Sequence, residues 1–280
     1  MPANPTEPAN QDLLAIARRI AIQAGELAAK RRSEGVEVAA TKSTAVDIVT
    51  EADRETEALI LDLLADARPD DGVLGEEGAS KTGTSGLNWV VDPIDGTVNF
   101  LYGLPHYAVS IAVVEGDPDP LTWRGLAGCV VNPASGEVFT GAAGGGAFLG
   151  DRPIHVAPAV ELSQALVATG FAYDSWMRGQ QGAAVTKLLP LVRDIRRQGT
   201  ASLDLCFVAA GRYNAYFERT LNPWDHAAGA IIAREAGAIV KGWGQAVPSR
   251  DFIIAAEASV ASRLETALEQ VGAAEWQLKG

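Results

Sequence analysis

Three runs of mainly apolar residues in this chain stop abruptly in carboxylates, and this constrains the chain more than any other feature. VLG runs into Glu76 and Glu77, WVV into Asp92 and Asp95, and NPW into Asp225. Acids grouped where buried strands end cost stability through mutual repulsion unless something positive lies among them. A helix cap or an exposed turn would explain any one of these acids taken alone. The segments around them alternate between strand-like and helix-like patterns in both halves of the chain. That predicts layers of mixed α and β structure.

Residues 12–32 carry a helical stripe in which Leu13, Leu14, Ala17, Ile20, Ala21, Ala24, Leu27 and Ala28 recur at three- and four-residue steps. Thr50 with Asp53 three places on has the spacing of a capping box, and Pro69 closes the helix that follows. DGVLGEEG and WVVDPIDG read as strands ending in acids, with a loop, KTGTSGLN, between them. Two further strands flank the turn NPASGE, a hairpin signal. The glycine-rich GAAGGGAFLG lacks the Lys-Ser/Thr ending of a phosphate loop and breaks the G-x-G-x-x-G spacing at Leu149, so it reads as a turn between strands. A polar stretch near residue 155 divides a lobe of residues 12–155 from one of 156–280, after a loose tail over 1–11. The second lobe reads as strand ALVATGF, a helix over about 177–192, TASLDLCFVAAG, strand NAYFE, a helix after WDH, strand FIIAAE and a last helix from about 258 to 271.

Composition excludes several function classes. The 280 residues suit about two domains and bury a core without staples. Cys129 and Cys206 are far apart and sit in apolar runs, which speaks for core packing and against a disulfide framework or thiolate metal site. A charge of −12 repels nucleic-acid phosphates, and the small basic cluster Arg193, Arg196 and Arg197 reads as a solvated face. No run reaches the 18 or so apolar residues of a membrane span. The first residues lack the order of a signal peptide, so a soluble, cytoplasmic protein is expected. His106, His155 and His226 are scattered and form no ligand pair.

Asp92-Pro93-Ile94-Asp95-Gly96-Thr97 is the segment that bland readings explain least well. Pro93 fixes the backbone between two carboxylates, and Gly96 permits a sharp turn after the second. Thr97 then supplies a hydroxyl and opens a helix, whose first N–H groups suit a phosphate. One loop thus offers hard oxygen ligands for a cation beside an anion pocket. Oxygen-only ligands select Mg²⁺, or Mn²⁺ as a substitute, over zinc.

Taken together, WVVDPIDGTVNF (89–100), GEEG (75–78) and WDHAAG (224–229) resemble the two signature motifs of the inositol monophosphatase family, Mg²⁺-dependent and lithium-sensitive phosphatases. The similarity runs from about residue 12 to 271. It implies a layered αβαβα sandwich and a homodimer. Glu76, Asp92 and the Ile94 carbonyl would hold one metal, and Asp95 and Asp225 would join Asp92 around a second, with two to three ions per site. Gly96 and Thr97 would bind phosphate through backbone N–H groups. Thr97, paired with Asp53 and acting with Glu76, would position the attacking water. Lys42 matches a basic residue near the site. Gly199, Thr200, Ala201 and Glu218, with Asp95 and Asp225, match contacts to a small phosphorylated polyol. Arg219 reads as a surface ion pair.

The residue types agree with direct attack of a metal-activated water on a phosphomonoester. The resemblance points first to inositol 1-phosphate, with histidinol phosphate, fructose 1,6-bisphosphate and adenosine 3′,5′-bisphosphate as alternatives within the superfamily. A haloacid-dehalogenase-type phosphatase needs D-x-D, whereas this chain has D-x-x-D. A non-catalytic metal-binding regulator is the rival of another class. Against it, Glu76, Asp92, Asp95, Thr97 and Asp225 all stand.

Overall fold

A computed structural model describes residues 6–36, 38–41 and 48–275. Helix α1 (Thr6–Glu34) buries the expected stripe, with Ala17, Ile20, Ala21 and Ala24 wholly enclosed. It starts earlier than the loose tail over 1–11 suggested, because Pro8 falls in its first turn, where a missing N–H costs nothing. Strands β1 (Val38–Thr41) and β2 (Ile48–Thr50) form a small antiparallel sheet. Thr50 then caps α2 (Glu51–Ala67) in the box the sequence predicts, and the helix ends before Pro69.

The large sheet holds β3 (Gly72–Gly75), β4 (Ser80–Lys81), β5 (Leu87–Asp95), β6 (Ala108–Glu115), β7 (Arg124–Asn132), β8 (Glu137–Ala142), β9 (Gly146–Leu149) and β10 (Arg152–Pro153), in the order β10-β9-β8-β7-β6-β5-β3-β4. The predicted hairpin is β7–β8, and the glycine-rich stretch is the β8–β9 turn. Two strand boundaries differ from expectation. Lys81, Leu87 and Asn88 are strand rather than loop, while β5 runs through Asp92 to Asp95 as the strand reading of WVVDPIDG expects. The second sheet holds β11 (Leu166–Thr169), β12 (Asp194–Arg196), β13 (Ala215–Glu218), β14 (Ile239–Lys241) and β15 (Ile253–Ala256), in the order β12-β11-β13-β15-β14.

Side-chain alternation sets the layers. Trp89, Val91, Val109, Ile111, Cys129 and Val131 face one way, onto α1 and α2. Val90, Ala112, Val114 and Val130 face the other way, onto α5 (Ala201–Ala209) and α6 (Pro223–Glu235). The second sheet repeats the pattern: Ala168, Tyr216, Ile253 and Ala255 face α5 and α6, while Val167, Phe217, Ile254 and Ala256 face α4 (Ser175–Leu188) and α7 (Ala258–Gln270). The result is the αβαβα sandwich, completed by the short α3 (Thr97–Tyr102). Burying a side chain the size of Ile111 or Ile254 contributes about 1.5–3 kcal/mol, so each interlayer face adds substantially to stability. Both cysteines are buried and free, as packing residues should be.

Helix α6 sits directly on the large sheet. A Cβ at Gly128 in β7 would lie 2.8 Å from the Ala228 carbonyl oxygen and 2.9 Å from its Cα, so only glycine lets the helix approach that far. No helix among the described residues is long and apolar enough to cross a membrane.

Candidate active site

The site is built where β5 breaks register. The β5–β6 ladder shifts between Asp92 and Asp95, at Pro93, which has no N–H to give. The Asp92 carboxylate accepts the Ile94 N–H at 3.1 Å and so closes the irregular turn on itself. Strand β3 lies parallel to β5 with Gly75 opposite Val91. The next residue, Glu76, therefore arrives beside Asp92, and the two carboxyl groups share a hydrogen bond.

Asp95 turns toward α5. Its Oδ2 accepts the Ser202 N–H at 2.8 Å and the Ser202 hydroxyl at 2.6 Å, tying the end of β5 to the start of the helix that joins the two sheets. Gly96 follows with φ +91°, and a Cβ there would meet the Thr200 hydroxyl at 2.5 Å. Gly96 caps α3, with Thr97 as its first residue. The Thr97 Oγ1 lies 3.2 Å from Asp53 Oδ1 and 3.1 Å from the Ile94 carbonyl, two acceptors for its one proton. The other Asp53 oxygen accepts the Thr50 N–H at 2.8 Å and the Thr50 hydroxyl.

Asp225 comes from the other side of the sandwich. It does not end a strand, as the sequence suggested. Pro223 opens α6, and Asp225, in the first turn, accepts the Asn222 N–H at 2.6 Å. Glu218, at the end of β13, accepts the Tyr216 hydroxyl at 2.7 Å.

One cavity of about 730 Å³ gathers these groups. Glu76, Asp92, Ile94, Asp95, Gly96, Thr97, Gly199, Thr200, Ala201, Glu218 and Asp225 all line it. Asp53 lies behind Thr97, wholly buried, and touches the site only through that hydroxyl. Lys42 falls outside the described residues.

The electrostatics are strained. Burial, then repulsion from Glu76, Asp95 and Asp225, pushes the Asp92 carboxyl well above its usual range. Asp225 is pushed up in the same way, by burial and then by Glu76 and Asp95. Burial raises Asp95, Asp53 and Glu218 to about 7 each, against the hydrogen bonds from Ser202, Thr50 and Tyr216 that favour their ionised forms. Such a cluster needs protons or a cation. No cysteine or histidine lines the cavity, so the donor set is all oxygen and fits a hard divalent ion. Among the described residues, no three such side chains already stand close enough together to hold a metal.

Two arginines depart from the sequence reading. Arg197 stays exposed, as the solvated-face reading has it, but it also lines the cavity, where its charge lowers the Glu218 carboxyl. Arg219 is no surface ion pair: it is 5% exposed and donates to the Ala273 carbonyl at 3.3 Å. The sequence reading also missed Arg250 and the aromatic residues Phe171, Tyr173, Trp176 and Trp224 on the cavity wall. For Arg197 a signal existed, since it stands two residues before Gly199. Trp224 likewise adjoins Asp225 in WDHAAG, whereas Phe171, Tyr173 and Trp176 gave none.

An acid-lined cavity seated between two mixed sheets, in an αβαβα sandwich, is the architecture of a phosphatase. The chain belongs to the inositol monophosphatase family, whose sequence profile matches residues 9–277. It is 41% identical over 286 aligned residues to the inositol-1-monophosphatase of Mycobacterium leprae, covering 93% of this chain and 94% of that protein. It is 40% identical to the Nus factor SuhB of Vibrio cholerae, covering 81% of this chain and 84% of that one. The crystal structure of the extragenic suppressor protein suhB from Bartonella henselae superposes with a TM-score of 0.85 at 35% identity, covering 92% of this chain and 99% of that one.

Proposed function

We propose that this chain is a Mg²⁺-dependent phosphomonoesterase that hydrolyses inositol 1-phosphate to myo-inositol and phosphate. The observation that carries this reading is convergence: β3, β5, α3 and α6 bring Glu76, Asp92, Asp95, Thr97 and Asp225 to one cavity. Glu76, Asp92, Asp95 and Asp225, with the Ile94 carbonyl, would hold the ions. When bound, magnesium (or manganese in its place) supplies Lewis acidity and neutralises charge on the phosphoryl group.

The chain's own residues do the rest. The N–H groups at Gly96 and Thr97 bind the phosphate. Glu76 and the Thr97 hydroxyl orient the attacking water. As the water attacks, Thr97 Oγ1 takes its proton and passes its own to the Asp53 carboxylate at Oδ1, whose pKa burial raises to about 7. Gly199, Thr200, Ala201 and Glu218 receive the polyol hydroxyls, and Arg197 adds positive charge at that wall. On this reading the lobe of residues 12–155 supplies most ligands and the lobe of 156–280 supplies Asp225 and the polyol contacts. The working form is a cytoplasmic homodimer that lithium inhibits.

The test is phosphate release from inositol 1-phosphate with and without magnesium, run beside histidinol phosphate, fructose 1,6-bisphosphate and adenosine 3′,5′-bisphosphate. Highest kcat/KM on inositol 1-phosphate supports the reading, and a preference for another of the four reassigns the substrate. The name Nus factor on the Vibrio cholerae relative favours a second reading, a metal-binding regulator. Magnesium binding with no hydrolysis of any of the four would establish that reading instead.

A further inference from the structure

Glu57 lies one helical turn beyond Asp53 on α2, is 6% exposed, and lies outside the set of groups lining the cavity. Its Oε1 accepts the Glu77 N–H at 2.9 Å, and the Ala79 N–H donates to the same carboxylate. Across the turn, the Gly75 N–H donates to the Ala79 carbonyl at 2.7 Å. The Glu76 N–H donates to the Val91 carbonyl at 3.2 Å. The segment between β3 and β4 is therefore wrapped around one carboxylate. Gly75 permits this, because a Cβ there would lie 2.2 Å from Glu57 Oε1.

The face of α2 that holds Glu57 also holds Asp53, four residues earlier, and such residues are neighbours on a helix. Asp53 meets the Thr97 hydroxyl, while Glu57 holds the turn that carries Glu76. A single rigid helix thus sets the spacing between the two groups assigned to orient the water.

We propose that Glu57 is the positioning residue for Glu76, fixing its carboxylate toward the ion site by holding the N–H groups of Glu77 and Ala79. This rests on the metal-dependent reading above. A carboxylate is suited to the task because it accepts both N–H groups, whereas an amide in its place would present a donor to one of them. Groups that orient a metal ligand typically change metal affinity by about 10–100-fold when removed.

The test is Glu57→Gln, titrated calorimetrically with magnesium chloride alone and followed by hydrogen exchange at the Glu77 and Ala79 amides. The expected result is a magnesium Kd weakened about 10–100-fold with faster exchange at both amides. kcat at saturating magnesium should recover most of its value, because Glu76 itself remains. A purely structural role would lower the melting temperature and leave Kd in place. Gly75→Ala attacks the same contact from the other side and should give the same weakened Kd. It carries the test if Glu57→Gln does not fold. A folded variant with wild-type Kd overturns the proposal, and so does failure of both variants to fold, since the contact would then hold the fold and not the ligand. A wild-type protein that binds no magnesium overturns the metal-dependent reading itself.

Discussion

Asp53→Asn should make the metal-free protein more stable at neutral pH while destroying activity. Burial raises the Asp53 carboxyl from 3.8 in the unfolded chain to about 7 in the fold. The folded state therefore holds a proton that the unfolded state releases between those values, so stability is greatest at low pH and falls as pH rises toward 7. About 3 units at ~1.4 kcal/mol per unit gives a fall of ~4 kcal/mol, of which ~2 kcal/mol lies between pH 5 and 7. That is large beside a total stability of about 5–15 kcal/mol. Asparagine keeps the cap, since its oxygen can still accept the Thr50 N–H, and its amide can donate to Thr97 Oγ1. It removes only the titration. Urea unfolding in EDTA at pH 5 and pH 7 measures the effect. Wild type should lose ~2 kcal/mol more than the variant over that interval. Saturating magnesium should shrink the wild-type loss, because a ligand of the ionised fold stabilises it by mass action. Equal losses in the two proteins would show that the Asp53 carboxyl is not raised in the fold, and the mechanism would lose the base poised near neutrality behind Thr97.

Asp95→Asn should fold, because the amide oxygen can still take the Ser202 N–H, yet turnover should drop by orders of magnitude; near-normal turnover at saturating magnesium refutes the ligand assignment. Thr97→Ala should lower kcat with little change in magnesium Kd, and parallel losses in both would argue against water positioning. Gly96→Ala places a Cβ in a left-handed turn and 2.5 Å from the Thr200 hydroxyl, so it should cost about 1–3 kcal/mol in urea unfolding and raise KM for the phosphoester. An unchanged KM would remove Gly96 from the phosphate pocket.

What the sequence revealed was whatever depends on near neighbours. Thr50 and Asp53 are three residues apart and form their capping box from local geometry. Asp92 to Thr97 is one turn, and its chemistry could be read from six consecutive residues. Tertiary effects stayed hidden. Pro93 could be read as fixing the backbone between two carboxylates, but not the register shift on β5 that accommodates it. Asp225 looked like the end of a strand because it follows the run NPW, whereas α6 already opens at Pro223. Helix α5 is buried on nearly all sides, so it shows no apolar stripe to find. Arg219 differs from an ordinary surface arginine only in what the fold packs over it, and Arg197, which stays exposed, only in the cavity it borders.

The seat of α6 on Gly128 is backbone against backbone, with no rotamer able to absorb an error. A single methyl added at this point of β7 would have to be accommodated by moving the whole helix, and Asp225 would travel with it. The placement of Asp225 therefore has a tolerance set one helical turn away: drift in the surrounding apolar side chains can be repacked, but one carbon on the sheet beneath the helix would shift the carboxylate itself.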